Sequence, residues 1–203
     1  IGDINLNSMG DYDTLIVKVN PDGTYAWVSQ VVDEGNGTHN YRVHTKKVAT
    51  FIDGSALISG VHFGNAQFSD IEIEPSNPSS YRGDNYIAKI DSDGSFSWVK
   101  QVVNAKNISG IASLEDGSSL ITGNFFERIT LGNHELGVGG STYGNFVAKI
   151  NSEGTYTWAK SIGNKFITDI VAFDDGSFVT TGYGHNLDLS PIDEAFVTKR
   201  SSN

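Results

Sequence analysis

The sequence predicts an all-β protein assembled from a repeated four-stranded antiparallel unit. Three observations lead there: two phrases recur in alternation, Asp-Gly pairs separate short runs of alternating apolar residues, and no stretch carries the period of an amphipathic helix. The first phrase runs from Asp13 to Trp27, from Asp84 to Trp98 and from Gly144 to Trp158, and begins again at Glu194 to Lys199. The second runs from Val48 to Gly60, Ile111 to Gly123 and Ile170 to Gly182. Their spacing sets a period of about 60 residues.

Each period holds four runs that read as strands. In the first complete unit, A lies near Val48 to Ile52, B near Ala56 to Phe63, C near Asn85 to Asp91 and D near Ser95 to Val103. A and B are joined at Asp53-Gly54, Asp116-Gly117 or Asp175-Gly176, and C and D at Asp22-Gly23, Asp93-Gly94 or Glu153-Gly154. Such pairs mark tight hairpins, because glycine supplies the positive φ the turn needs. A unit this small cannot bury both faces alone, so copies must stack, and radial stacking of four-stranded blades is a β-propeller. Tyr25 and Trp27, Phe96 and Trp98, and Tyr156 and Trp158 alternate onto one side of strand D, where they are expected to fill the space between blades.

Composition narrows the partners. The 203 residues are 38% hydrophobic, 11% aromatic and 19% charged, with a net charge of −10, which excludes a disordered acidic tail and argues against nucleic acid. Cysteine is absent, so disulfides, thiolate metal sites and cysteine nucleophiles are excluded. No apolar run approaches the roughly 18 residues of a membrane span. No signal peptide is evident; the chain opens on Ile1 with its one methionine at Met9, as a processed or trimmed start would.

In the phrases at Asn145 to Trp158 and Ile111 to Gly123 the chain resembles the bacterial β-propeller repeat family, the seven-bladed type with SBBP-type repeats found in secreted and cell-surface proteins. The resemblance covers nearly the whole chain and implies an extracellular or cell-surface setting within a larger bacterial protein. The B to C connections depart from the family by being rich in Gln, Ser and Asn where Pro is usual, so they are not interpreted by transfer.

Strand alternation puts the A–B and C–D turns at one end of the blades and the B–C and D–A connections at the other. The first set is short and nearly uniform; the second is long and dissimilar, at Gly64 to Gly83, Glu127 to Tyr143, Gly184 to Pro191, Val32 to His44 and Asn104 to Gly110. The first D–A connection carries about eight extra residues, Gly35 to Arg42. Variable loops on a rigid frame are where recognition resides, so Asn36, His39, Asn40, Tyr41, Arg42, Tyr81, Arg82 and Asp84 are the candidate contacts for a protein or glycan. Tolerated drift of the repeat is the competing explanation.

Other chemistry is weaker. Asp91-Ser-Asp93-Gly-Ser95 echoes the start of a calcium loop but lacks the downstream bidentate glutamate, so a structural turn is expected, with Ca²⁺ as the alternative and no other cofactor or metal. His39, His44, His62, His134 and His185 form no helical zinc pair. His62 stands where Phe125 stands in the next unit and is expected to pack or face a pocket. The paired acids Asp33-Glu34, Glu115-Asp116, Asp174-Asp175 and Asp193-Glu194 are neighbours in sequence, not carboxylates facing each other across a sugar. Lys18, Lys89, Lys149 and Lys199 recur in strand C, where stems covering apolar surface with ammonium groups in water are expected, and a phosphate or carbohydrate ladder is the alternative.

These observations favour a noncatalytic binding or scaffolding module. A polysaccharide hydrolase or lyase and a purely structural spacer are the alternatives. The organisation is a partial propeller over residues 1–203: a C/D half blade with its loop insertion at 1–44, blades at 45–104 and 105–163, and an incomplete blade at 164–203. That makes thirteen strands, about three and a quarter blades where a closed ring has roughly 4 to 8, so the rest of a larger propeller chain or a second copy is expected to complete it.

Overall fold

A computed structural model describes residues 13–33, 43–77, 82–137, 143–162, 166–185 and 193–200. Every helix or strand among them is a strand: β1 (Thr14–Val19), β2 (Tyr25–Asp33), β3 (Val43–Thr50), β4 (Ala56–His62), β5 (Ala66–Phe68), β6 (Ile71–Ile73), β7 (Asp84–Ile90), β8 (Phe96–Val102), β9 (Ala105–Ser113), β10 (Ser119–Phe126), β11 (Arg128–Leu131), β12 (His134–Gly137), β13 (Tyr143–Ile150), β14 (Tyr156–Ser161), β15 (Phe166–Ala172), β16 (Phe178–His185) and β17 (Asp193–Arg200). Two antiparallel blades have the predicted A-B-C-D order, β3-β4-β7-β8 and β9-β10-β13-β14. A third sheet, β15-β16-β17, supplies A, B and C of the next unit.

Alternation along the central strands explains why these sheets stack. Leu57 and Ile87 point into a core shared with Ile121, Phe125 and Phe146 of the following blade, while Ile58, Tyr86 and Ala88 point into a core shared with Val31 of the preceding sheet. Likewise Leu120 and Val147 face Ile167, Ile170 and Phe178. Both faces of each complete blade are therefore buried, which is the packing of propeller blades. Trp27, Trp98 and Trp158 each pack at one of these three junctions, in line with the reading of strand D.

The turns share one construction. In each, the residue opening the turn bonds across it, as Asp91 N donates to Ser95 O at 2.8 Å and Gly94 N to Asp91 O at 3.0 Å. The glycine is left-handed, with φ between 76° and 93° at Gly23, Gly54, Gly94, Gly117, Gly154 and Gly176. The preceding aspartate accepts both the N–H and the hydroxyl of the Ser or Thr two residues on, at Asp22, Asp53, Asp93, Asp116 and Asp175. Asp93 thus serves the turn through Oδ1, which accounts for the calcium-like spelling of its sequence.

Glycine is required again inside strand B. Gly60 lies opposite Tyr86, and Gly123 opposite Phe146. A methyl group on Gly60 would stand 2.6 Å from the Tyr86 hydroxyl and 2.0 Å from the His44 carbonyl, so the closing glycine of the second phrase makes room for a ring and a bulged strand A.

Three expectations are corrected. The described residues hold seventeen strands, not thirteen, because the first two B–C connections contain the hairpins β5–β6 and β11–β12. Ala66, Phe68, Ile129 and Leu131 are buried to within 1%, worth about 2 kcal/mol for each large side chain, so these segments are wedged between blades rather than free loops. β5 even pairs with β2, extending the first sheet to β1-β2-β5-β6. Secondly, Asn104–Gly110 is not a loop, since β9 begins at Ala105 after a two-residue turn. Thirdly, Lys89 of strand C does not carry its ammonium group out into water, being 6% exposed, while the Lys199 side chain lies outside the described residues. Lys89 Nζ lies 3.3 Å from the Phe51 ring centroid, Lys149 Nζ donates to Asp116 Oδ2 at 3.0 Å and Lys18 Nζ to Gly54 O at 3.1 Å, so all three reach A–B turns.

Candidate functional site

The two ends of the blades are built differently. At the turn end, Trp27 Nε1 donates to Ser92 O at 2.9 Å and Trp98 Nε1 to Ser152 O at 2.8 Å, each reaching the C–D turn of the next unit. The indoles cover Gly94 and Gly154, where a Cβ would stand 2.8 and 2.9 Å from the ring. Aromatic recurrence here is committed to joining blades.

At the opposite end the connections bring together aromatic rings that stand outside both repeated phrases or at their margins. Phe126 closes β10 and Tyr143 opens β13, and the two are direct cross-strand partners with centroids 5.0 Å apart. Phe166 opens β15 and pairs with Tyr183 on β16, with centroids at 5.4 Å and planes inclined by 23°. Tyr143 and Phe166 meet across the junction at 6.2 Å, so the four rings form one row spanning two sheets. Tyr143 is 36% and Tyr183 43% exposed.

Two cations lie on this row. Lys106 Nζ is 4.7 Å from the Tyr143 centroid, 5.7 Å from Phe166 and 5.8 Å from Phe126. Its place comes from a break in register: Phe125 pairs with Ala105 and Asn124 with Asn107, so Lys106 is the unpaired residue of a bulge that β3 lacks. Arg82, exposed just before β7, places its guanidinium carbon 4.7 Å from the Phe126 centroid.

Buried polar side chains hold the strands that carry these groups. Asn85 Nδ2 donates to Ala105 O at 2.8 Å, beside Lys106, and Asn145 Oδ1 accepts from Ile167 N at 3.2 Å, beside Phe166. Thr14, at the same position of the first phrase, donates to Val43 O at 2.9 Å. Asn85 and Asn145 are 2% exposed. One repeat position therefore ties strand C to strand A of the next unit.

Of the predicted contacts, Arg82 belongs to this site. Asp84 lies near it at the start of β7, where its Oδ2 accepts from Ser76 N at 2.5 Å. Asn36, His39, Asn40, Tyr41, Arg42 and Tyr81 lie outside the described residues. Sequence reasoning missed Lys106, Phe126, Tyr143, Phe166 and Tyr183; their common trait is a position bordering the dissimilar connections.

His62 is wholly buried, as the packing expectation has it. Its Nε2 accepts from Gln101 Nε2 at 3.1 Å, which leaves Nδ1–H to donate to Gly64 O at 2.7 Å. Gln101 also donates to Glu74 O, so the pair pins both feet of the β5–β6 hairpin. Burial pushes the imidazole below its ordinary pKa against the Gly64 hydrogen bond and the charges of Asp84 and Asp33, and keeps it neutral. A separate cleft of about 410 Å³ opens between the first two sheets, lined by Val28, Ser29, Val32, Gln67, Ser69 and Asp93 among others.

No family model matches the chain, and no curated protein matches it. Among solved structures the chain is similar to the Dos1 propeller, with 12% identity and a TM-score of 0.46 over 85% of this chain and 37% of that one. It is also similar to a protein of unknown function from Bacteroides caccae, with 12% identity and a TM-score of 0.44 over 93% of this chain and 58% of that one. The chain spans less than two thirds of either structure's length.

Proposed function

We propose that this chain is a noncatalytic binding or scaffolding module of a larger bacterial secreted or cell-surface protein, and that it contacts a protein or glycan through the loop end of its blades. The observation that carries this reading is the row Phe126–Tyr143–Phe166–Tyr183, partly exposed at that end and flanked by Lys106 and Arg82. Exposed aromatics backed by a rigid sheet give large contact area at small entropic cost, the usual composition of a recognition surface. The extracellular setting rests on the two repeated phrases. In the same reading the rest of a propeller or a second copy covers β1, an edge strand on which Leu15 and Val19 are 45% and 55% exposed.

Glycan-array and pull-down profiles of the wild type and of a Phe126→Ala/Tyr143→Ala variant test the proposal. Hits that vanish in the variant while its thermal unfolding stays within a few degrees are expected. An identical profile removes the ring row from function.

A further inference from the structure

We infer that the ring row takes an acidic glycan, a pyranose polymer bearing carboxylate or sulfate groups. This rests on the binding-module reading above and names the ligand class of that site. A pyranose has a face of C–H groups that packs on an aromatic ring and a rim of hydroxyls and anionic groups that seeks donors. Tyr143 and Tyr183 offer partly exposed rings, and Lys106 stands 4.7 Å from the Tyr143 centroid, so apolar platform and cation are within one sugar's reach.

The charge of Lys106 is the second observation. In a chain with 24 acids against 14 Lys and Arg, no carboxylate among the described residues forms an ion pair with it. What holds it is the three ring faces, and an exposed cation–π contact contributes only about 0.5–1 kcal/mol. A bulge in β9 puts this ammonium there. A ligand anion is a partner that no described carboxylate provides, and in a chain of net charge −10 this cation selects anions locally rather than by net charge.

Strand pairing favours a glycan over an acidic peptide. Extended peptides gain affinity from main-chain bonds to an open strand edge. Phe126, Tyr143 and Tyr183 lie on β10, β13 and β16, each paired on both sides. β9 and β15 are edges, but beside the site the Ala105 carbonyl and the Ile167 N–H are taken by Asn85 and Asn145. Recognition there falls to side-chain rings and cations.

Affinity electrophoresis of the full chain through gels containing polygalacturonate, its fully methyl-esterified form, dextran sulfate or polyglutamate tests the inference. Retardation by polygalacturonate or dextran sulfate, relieved by 0.5 M salt, is expected, and whichever polymer retards more identifies the anion. Lys106→Met is expected to weaken that retardation about tenfold and Tyr143→Ala to abolish it, with both variants melting like the wild type. Equal retardation by the methyl-esterified polymer would overturn the acidic class while leaving a glycan-binding module. Retardation by polyglutamate alone would overturn the glycan class and leave the binding reading. No retardation by any polymer would overturn the acidic-glycan inference, and the array and pull-down comparison then decides the module reading separately.

Discussion

The two ends of the blades carry similar residues to opposite purposes. At the turn end, tryptophan, lysine and aspartate recur at fixed places and satisfy one another: Trp98 covers Gly154 and bonds Ser152, Lys149 meets Asp116, and Asp116 bonds Ser118. At the loop end, Tyr143, Phe166, Tyr183, Lys106 and Arg82 stand at places that do not repeat, Phe126 shares its place with Phe63 of the preceding unit, and Lys106 rests on rings without a carboxylate partner among the described residues. The tryptophans, lysines and aspartates that recur at the turn end join blades; under the proposed function, the rings and cations that break the period at the loop end serve a ligand. Substitutions at the first end are expected to cost stability, and at the second, binding.

The largest expected effect is at the turn end. Trp98→Ala removes an indole packed at a junction and its hydrogen bond, and is expected to cost ~3 kcal/mol in urea unfolding. Gly154→Ala comes next at ~2 kcal/mol, because it adds a Cβ 2.9 Å from the same indole to the cost of a left-handed alanine. Gly117→Ala has the same φ sign but nothing nearer than 3.9 Å, and about 1 kcal/mol is expected from backbone strain alone. Equal losses at Gly154 and Gly117 would show that the tryptophan cover is unimportant.

Titration divides the ends as well. His62 has its folded pKa below the ordinary 6.5, so the unfolded chain takes up a proton first, and stability is expected to be full above 6.5 and to decline as pH falls below it. His62→Phe, which installs the residue of the next blade, is expected to flatten that decline when melting temperature is followed from pH 7.5 to 5. At the turn end Asp116 is held down to about 2, first by the Ser118 hydroxyl and then by Lys149. Its contribution is present above 3.8 and lost as pH falls towards about 2. The smallest stability effect is expected for Tyr143→Ala, within ~0.5 kcal/mol despite its loss of binding, since the side chain is partly exposed. A cost as large as that of Trp98→Ala would make the ring row a structural junction.

Sequence reasoning reached the turn end far better than the loop end. Asp53-Gly54 and Asp93-Gly94 announce their turns because the conformation is local, and the tryptophans repeat at a fixed place. β5 and β6 were hidden because three residues each, Ala66–Phe68 and Ile71–Ile73, are too short to show a period. The pairing of β5 with β2 depends on a strand more than thirty residues earlier. Lys106 reads as part of a connection until the register of Phe125 and Asn124 expels it. Phe126, Tyr143 and Phe166 are scattered in the chain and meet only through pairing within one blade and packing on the next.

The tryptophan latch has a polarity. Its donor lies in strand D of one unit and its acceptor in the C–D turn of the unit that follows, so the two halves of the contact occupy opposite sides of each blade. A twofold axis would set donor against donor and leave both indole N–H groups unmatched. A further unit, whether from the same chain or another molecule, docks through this device only head to tail and in the same rotational sense. The latch therefore directs growth towards a ring or a helical stack rather than a symmetric dimer, and a duplicated unit inserted between two others finds both of its contacts already specified.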